Sequence, residues 1–327
     1  MIGWFDLPPL FMVLSLMRFP TIIKRVKKVL LFPLIWSGFF FSLVFCSASL
    51  YAAEPIAVVA TLPVLKGFTE EIGGAHVKVS SLISGLESEH TYTPKPSDVI
   101  ALQRARLLIK IGLGLEVWID PLIENANRVD LPVVITSQGV SLLNDSSHAL
   151  EHPGEPVANP HIWLDPENVK IMIRNIVEGL IKVDPAHEDD FIQNQSRYVR
   201  DLDLLVKELM ETVKALPDKA IITHHPAWPY FSRRFGFIIK GDILSQIGSR
   251  PSARHIAGLI ALIRKEEVRV IVSEPQLSPK IPKILADETG ATIVVLSPLP
   301  GAIPGTETYF DLLRHNTQVL VAALRGS

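Results

Sequence analysis

The stretch FIQNQSRYVRDLDLLVKELMETV, residues 191–213, carries its apolar side chains at helical spacing. Intervals of three, four and seven separate Phe191, Tyr198, Leu202, Leu205, Leu209 and Val213. This spacing places them on one face of a single long helix, and charged residues fill the opposite face. Pro217 is expected to end the helix. We therefore predict one extended helix, at 186–216, that divides the chain into two parts.

On both sides of this helix, short β-branched runs alternate with helical patterns, which is typical of parallel sheets connected by helices. The predicted strands are 56–61, 77–83, 107–111 and 133–136 before the helix, and 220–223, 237–239, 268–273 and 292–296 after it. A helix is expected to start at Ser97 and Asp98, and others at 253–265 and 279–289. The sequence thus predicts an α/β fold of two lobes, 54–185 and 217–327, each with a mainly parallel sheet flanked by helices, joined by one long rigid helix.

The first 53 residues have the layout of a secretory signal. Four basic residues, between Lys24 and Lys28, precede an uncharged run at 29–46, and small residues follow up to Ala53. We predict that residues 1–53 are a signal peptide cleaved near Ala53, which makes the mature protein extracytoplasmic.

Other fates of this segment stay open. The apolar run approaches the length that spans a bilayer, so a retained membrane anchor is an alternative. Cys46 leaves a lipidated form open, although bulky residues precede it, and the true start is either Met1 or Met17.

Charge and cysteine content exclude several classes of function. Residues 1–53 hold five of the 32 basic and one of the 34 acidic residues, so the formal charge of the remainder is −6. Nucleic-acid binding requires a clustered positive surface, and none is indicated. Cys46 is the only cysteine, so the mature chain has no disulfide, thiolate metal site or cysteine nucleophile.

Three of the ten histidines occupy positions where a ligand site is expected. His90 and His225 each follow a predicted strand, and ligands bind beyond the carboxyl ends of strands in open α/β sheets. His161 lies on a short stretch between two prolines, just before Asp165, which is expected to cap the next helix. The spacing leaves two interpretations open: one shared three-histidine metal site, or scattered structural histidines.

Four sequence motifs carry a resemblance to a known family. They are HTYTPKPSD at 90–98, NPHIWLDP at 159–166, HPAWPYF at 225–231 and SEPQ at 273–276. In this order they resemble the zinc/manganese substrate-binding proteins of metal ABC importers, the cluster A-I or zinc-uptake periplasmic binding protein family, over 56–324. The resemblance implies that His90, His161 and His225 are metal ligands and that the metal lies between the lobes. It also implies delivery of the ion to the membrane permease subunits of an ABC importer.

The fourth ligand is the point at which the sequence departs from the family pattern. Many members have a carboxylate where this chain has Ser297. Three imidazoles with a water or a weak oxygen ligand in the fourth position suit Zn²⁺ better than Mn²⁺, which prefers more oxygen ligands. Glu89, adjacent to His90, is a candidate for an oxygen ligand, and the alternative is a solvated carboxylate of the loop. Glu274 is expected to orient a ligand imidazole, and the alternative is a surface charge at a strand end.

The other histidines and the aromatic residues receive structural assignments. His148 and His152 lie in a polar loop, where some zinc-binding relatives have a longer histidine-rich segment, so their role stays open. The remaining histidines are expected to be structural or at the surface: His76, His187, His224, His255 and His315. The aromatic residues near the motifs are expected in the core, where they exclude water and hold the histidine loops: Trp118, Trp163, Trp228 and Tyr230.

The expected function is capture of Zn²⁺, less favourably Mn²⁺, by a monomer that is not an enzyme. A zinc enzyme is the first alternative, because three histidines plus an open position also describe catalytic sites. No H-E-x-x-H pair occurs to support it. An adhesin-like surface protein that retains the fold without metal is the second alternative.

Overall fold

The structure is a computed structural model that describes residues 54–143, 158–245 and 248–326. The strands are β1 (Ile56–Ala60), β2 (Val77–Ser81), β3 (Leu107–Lys110), β4 (Val133–Ile135), β5 (Ala220–Thr223), β6 (Ile238–Asp242), β7 (Val270–Ser273) and β8 (Thr292–Val295). The α-helices are α1 (Pro63–Gly73), α2 (Pro96–Arg104), α3 (Ile119–Asn125), α4 (Pro166–Val183), α5 (Glu188–Lys214), α6 (Pro229–Phe235), α7 (Ala253–Lys265), α8 (Lys280–Thr289) and α9 (Tyr309–Arg325).

The strands form two parallel four-stranded sheets with the same order of connections. One sheet has the order β2-β1-β3-β4 and the other β6-β5-β7-β8. In each sheet the first strand is followed by a strand on one side and the later strands are added on the other side. The order of addition therefore switches between β1 and β3 in one sheet and between β5 and β7 in the other. Ligands bind at such switch points, beyond the carboxyl ends of the strands. The predicted two-lobed α/β fold is confirmed.

The long helix α5 runs from Glu188 to Lys214, inside the predicted 186–216, and 27 residues make it about 40 Å long. Its buried face consists of the six residues at helical spacing, joined by Val206. The helix contacts α1 and α4 from the first half of the chain and α6 and α9 from the second. One continuous core therefore includes side chains from both halves. The helix ends three residues before Pro217, so the proline follows the helix end and does not itself cap it.

Several element boundaries differ from the prediction by one to three residues, and two of them have a clear local reason. Strand β6 is Ile238–Asp242, where 237–239 was predicted, because the parallel pairing with β5 extends as far as Asp242 past residues with low strand propensity. Helix α2 starts at Pro96, one residue before the predicted start. Proline suits this first position because its backbone lacks the N–H that would have no partner there. Asp98 accepts a hydrogen bond from the Lys95 N–H, which closes the helix start.

A buried carboxylate connects the segment around His161 to the second lobe. Asp165 caps α4 by accepting a hydrogen bond from the Glu167 N–H, as expected. Its two oxygens also accept hydrogen bonds from Arg233 and Arg234 on α6, at 3.1 and 2.6 Å. Asp165 is 1% exposed, so these contacts are shielded from solvent on the carboxylate side. They fix α6, which follows His225, against the turn that follows His161.

The predicted signal peptide, residues 1–53, and the loop histidines His148 and His152 lie outside the described residues. Among the helices that are described, none combines the length and the apolar composition needed to cross a bilayer.

The buried face of α5 should dominate its contribution to stability. We expect Leu202→Ala, at a fully buried position, to lower the free energy of unfolding by about 2–5 kcal/mol, because it leaves a cavity in the shared core. Leu204→Ala, two residues away and 64% exposed, should change it by less than about 0.5 kcal/mol. Urea unfolding of both variants checks this difference. Equal effects at the two positions would contradict the described orientation of the helix.

Candidate metal site

Three histidines meet where the two lobes face each other. His90 lies on the loop between β2 and α2, His161 precedes α4, and His225 lies two residues after β5. The Nε2 atom of His161 is 3.1 Å from that of His90 and 3.3 Å from that of His225. His161 and His225 are buried, and His90 is partly buried. The structure therefore favours the shared-site interpretation of the sequence over scattered histidines.

Asn159 determines which nitrogen of His161 carries the proton. The Asn159 side-chain N–H donates to the Pro226 carbonyl at 2.7 Å, which fixes the orientation of the amide. The amide oxygen then accepts from both the backbone N–H and Nδ1 of His161, each at 3.0 Å. An oxygen that can only accept requires a proton on Nδ1. In the neutral ring, Nε2 therefore carries the lone pair, and it is directed towards the Nε2 atoms of His90 and His225.

Glu274 has the same effect on His225. Its Oε2 lies 2.7 Å from His225 Nδ1, and its Oε1 accepts a hydrogen bond from the Trp228 indole at 3.1 Å. Burial lowers the pKa of His225, but the charge and hydrogen bonding of Glu274, together with the charges of Glu89 and Asp242, outweigh this, and the pKa lies above its usual value. A carboxylate at Nδ1 orients the ring and makes Nε2 the available donor. The prediction for Glu274 as an orienting residue agrees with this geometry.

These two constraints make the nitrogen cluster a candidate cation site. Neutral rings held in this way turn the lone pairs on the Nε2 atoms of His161 and His225 towards each other. They repel unless a proton or a metal ion lies between them. Two nitrogens bound to one tetrahedral Zn²⁺ at about 2.0–2.1 Å are separated by about 3.3 Å. The spacing of the three imidazoles fits a single ion of this kind.

Glu89 supplies an oxygen at the same point. Its Oε1 lies 3.4 Å from His161 Nε2 and 4.0 Å from His90 Nε2, and the residue is 2% exposed. The donor atoms of Glu89 and the three histidines all lie within 4.8 Å of one another. Among the described residues, this is the one group of three or more such side chains close enough to share an ion.

Ser297 does not occupy the role that a carboxylate has in many relatives. Its hydroxyl donates to the Leu299 carbonyl at 2.8 Å and accepts from the Leu299 N–H and from the Gln276 amide, both at 3.0 Å. One donor and two acceptor positions are the full capacity of a hydroxyl group. Ser297 therefore has no lone pair left for a metal.

His224 neighbours His225 but points elsewhere. Its Nδ1 accepts a hydrogen bond from the Glu274 backbone N–H at 3.1 Å, and burial lowers its pKa. The sequence expectation that it is structural agrees with this contact. The other four described histidines outside the cluster contact carboxylates or backbone carbonyls.

Sequence reasoning placed the aromatic residues in the core, which is correct, but missed what their polar atoms do. The Trp118, Trp163 and Trp228 indoles donate to the Glu89 carbonyl, the Pro298 carbonyl and the Glu274 carboxylate. The Tyr230 hydroxyl donates to the Asn159 carbonyl at 3.0 Å. For the indoles the available signal was that a buried Trp N–H requires a hydrogen-bond partner. The role of the Asn159 side chain was also missed, although Asn159 is the first residue of the motif at 159–166.

Comparison with known proteins agrees with this geometry. A family model described as "Zinc-uptake complex component A periplasmic" matches residues 58–323. The chain is similar to the high-affinity zinc uptake system protein ZnuA of Brucella abortus, with 29% identity over 83% of this chain and 92% of that one. It is also similar to the iron-binding protein YfeA of Yersinia pestis, with 29% identity over 80% and 84% of the two chains.

A solved structure shows the same similarity in three dimensions. The crystal structure of ZnuA superposes with a TM-score of 0.74 at 30% identity, covering 82% of this chain and 99% of that chain. Relatives named for zinc and for iron thus both match this sequence over most of its length. Because the family model spans most of the sequence, the chain belongs to the zinc-uptake periplasmic binding protein family, the metal-binding components of ABC importers.

Proposed function

We propose that this protein captures Zn²⁺ outside the cytoplasm with the Nε2 atoms of His90, His161 and His225, and delivers it to the permease subunits of an ABC importer. The lobe at 54–185 contributes the first two ligands and the lobe at 217–327 the third. The proposal rests on the convergence of one donor atom each from His90, His161, His225 and Glu89 within 4.8 Å of one another, with the Nε2 atoms of His161 and His225 3.3 Å apart.

The donor set favours zinc over manganese and iron. Three imidazole nitrogens and one carboxylate oxygen, from Glu89, complete the four-coordinate shell that Zn²⁺ accepts. Mn²⁺ prefers more oxygen ligands, and for a given nitrogen and oxygen site the affinity rises from Mn²⁺ through Fe²⁺ towards the later metals. The Ser297 hydroxyl makes three hydrogen bonds within the protein, so position 297 does not supply the additional oxygen ligand that would favour Mn²⁺.

The same four donor atoms, from three histidines and Glu89, favour metal capture over catalysis. A zinc enzyme keeps one coordination position open for water or substrate. Here Glu89 is buried beside the three nitrogens and its Oε1 lies where that fourth ligand would be. The ion is the cargo of the protein and leaves chemically unchanged.

The proposed location is the periplasm or another extracytoplasmic compartment, reached through residues 1–53 as a cleaved signal, with a membrane-anchored form as the alternative. The match to a periplasmic family supports this location. The proposed partners are the metal ion and the permease, and the protein acts as a monomer.

Competitive zinc titration tests the three ligands. We expect His90→Ala, His161→Ala and His225→Ala each to weaken zinc binding by more than about 100-fold, beyond the effect of a residue that only supports a ligand. His315→Ala is the matched control, because its ring contacts a backbone carbonyl at the surface. Zinc affinity that stays unchanged in all three ligand variants would remove the site, and tighter binding of Mn²⁺ than of Zn²⁺ would overturn the metal assignment.

A second pair of variants distinguishes the two candidates for the fourth ligand. Glu89→Gln should weaken zinc binding by at least about tenfold, because an amide is a poorer ligand than a carboxylate. Ser297→Ala should leave the affinity within about twofold, because its hydroxyl is fully used within the protein. Isothermal titration of both variants measures the difference, and the reverse order of effects would assign the fourth position to Ser297.

The support of His225 by Glu274 is testable separately. Glu274→Gln keeps the shape of the side chain but removes its charge, and we expect zinc affinity to fall by about 10–100-fold. Glu266→Gln, which alters a surface pair with Lys240, is the control and should have no effect on the affinity. If both variants bind zinc as the parent does, Glu274 does not tune the ligand.

A further inference from the structure

Trp118 contacts the peptide group that joins two of the proposed ligands. Its indole N–H donates a hydrogen bond to the Glu89 carbonyl at 3.1 Å. That carbonyl belongs to the peptide bond between Glu89 and His90. Because a peptide group is planar, fixing its carbonyl restricts the positions of both Cα atoms from which these two side chains leave the backbone. One hydrogen bond therefore acts on an oxygen donor and a nitrogen donor together.

The ring of Trp118 is itself held in place. It packs edge-to-face against Tyr92, with the ring centroids 4.9 Å apart. The Tyr92 hydroxyl donates to Asp98 at 2.7 Å, and the same Asp98 oxygen accepts the Lys95 N–H at the start of α2. Trp118 is 8% exposed. The loop that carries Glu89 and His90 is thus bounded by Trp118 on one side and by the helix start on the other.

A buried carboxylate anchors the turn that leads to Trp118. Glu116 accepts hydrogen bonds from the Ile111 and Gly112 N–H groups, at 2.7 and 3.0 Å, and from the Thr61 hydroxyl at 2.8 Å. Thr61 and Ile111 directly follow the neighbouring strands β1 and β3. The turn also requires Leu113 to adopt a φ of 58°, in the left-handed region that most residues avoid. These three contacts stabilise a conformation that the backbone alone would not favour.

Asn159, Glu274 and Trp118 contact different parts of the candidate ligands. Asn159 and Glu274 contact the imidazoles of His161 and His225 directly. Trp118 instead acts on the backbone of the Glu89–His90 segment. A contact to an imidazole ring orients that one ring. Rotation of the peptide between Glu89 and His90, in contrast, would move the donor atoms of both residues away from the site.

We propose that Trp118 is a positioning residue for metal capture: its indole N–H sets the peptide between Glu89 and His90, so that both donors point at the ion shared with His161 and His225. Glu116 is the anchor of the turn that places Trp118. This proposal rests on the proposed function, since it assigns a role in the same site.

The test compares zinc affinity in matched backgrounds, by competition with a chromophoric chelator. Trp118→Phe keeps an aromatic ring and removes the donor, and we expect about a tenfold loss of zinc affinity. The same substitution should give less than a twofold loss in a Glu89→Ala/His90→Ala background, because the donors that it positions are missing. In a His225→Ala background, where the segment must still meet His161, the tenfold loss should persist.

A second variant isolates the hydrogen bond from the packing. Benzothienylalanine at position 118, introduced by nonsense suppression, has nearly the shape of tryptophan but carries sulfur in place of the N–H. It should show the tenfold loss while the melting temperature of the metal-free protein stays close to that of the parent. If Trp118→Phe does not fold, this variant takes its place in all three backgrounds.

The outcomes separate this proposal from the proposed function. Unchanged zinc affinity on loss of the indole N–H, or an equal loss in the Glu89→Ala/His90→Ala background, would overturn the role of Trp118. In either case the effects of His161→Ala and His225→Ala stand unaltered. Failure of the parent protein to bind zinc would instead overturn the proposed function itself.

Discussion

The structure depends on an electrostatic constraint: the buried Nε2 atoms of His161 and His225 face each other at 3.3 Å with their ring protons directed to the opposite side. Asn159 and Glu274 impose this arrangement, and both are themselves fixed by further hydrogen bonds, to the Pro226 carbonyl and from the Trp228 indole. Two ring lone pairs that face each other in a buried site repel, and under the proposed function a bound cation relieves this repulsion.

Preorganisation of this site extends across both lobes. The Asp165 carboxylate joins the His161 segment to the two arginines of α6, and the Tyr230 hydroxyl joins the same helix to Asn159. On the other side of the site, the Gln276 amide donates to the Gly85 carbonyl at 2.6 Å. Gly85 lies so close to the opposite loop that a Cβ atom would come within 2.3 Å of the Pro300 carbonyl oxygen. Helix α5 adds a core that both halves share.

Such a framework restricts how the metal can leave. Because polar contacts and apolar packing connect the lobes independently of the ion, removal of the ion alone leaves these contacts in place. Under the proposed function, docking to the permease of the importer would supply the force that separates the ligands. This differs from a hinge of flexible strands, in which the ligand itself provides most of the contacts between the lobes.

Local patterns predicted the fold, whereas spacing alone left the three-histidine cluster as one of two interpretations, and the resemblance of the motifs to a known family supplied the ligand set. Helical spacing marked α5, β-branched runs marked the strands, and the topology rule placed His90 and His225 at one crevice. The sequence also predicted Glu274 as an orienting residue, but it missed Asn159, because the orientation of that amide is set by a hydrogen bond to the Pro226 carbonyl, 67 residues along the chain. The polar end of β6 was missed for a related reason, since pairing with β5, and not local propensity, sets its length. The role of Trp118 depends on a backbone carbonyl, which has no signature in the sequence.

X-ray absorption spectroscopy of the zinc-loaded protein is the most direct test of whether His90, His161 and His225 bind one ion, because it counts the imidazoles around the metal. We expect four nitrogen or oxygen ligands at about 2.0–2.1 Å from the zinc ion, with the multiple-scattering pattern of three imidazoles. A spectrum with one imidazole or none, or a six-coordinate shell made mainly of oxygen, would contradict it.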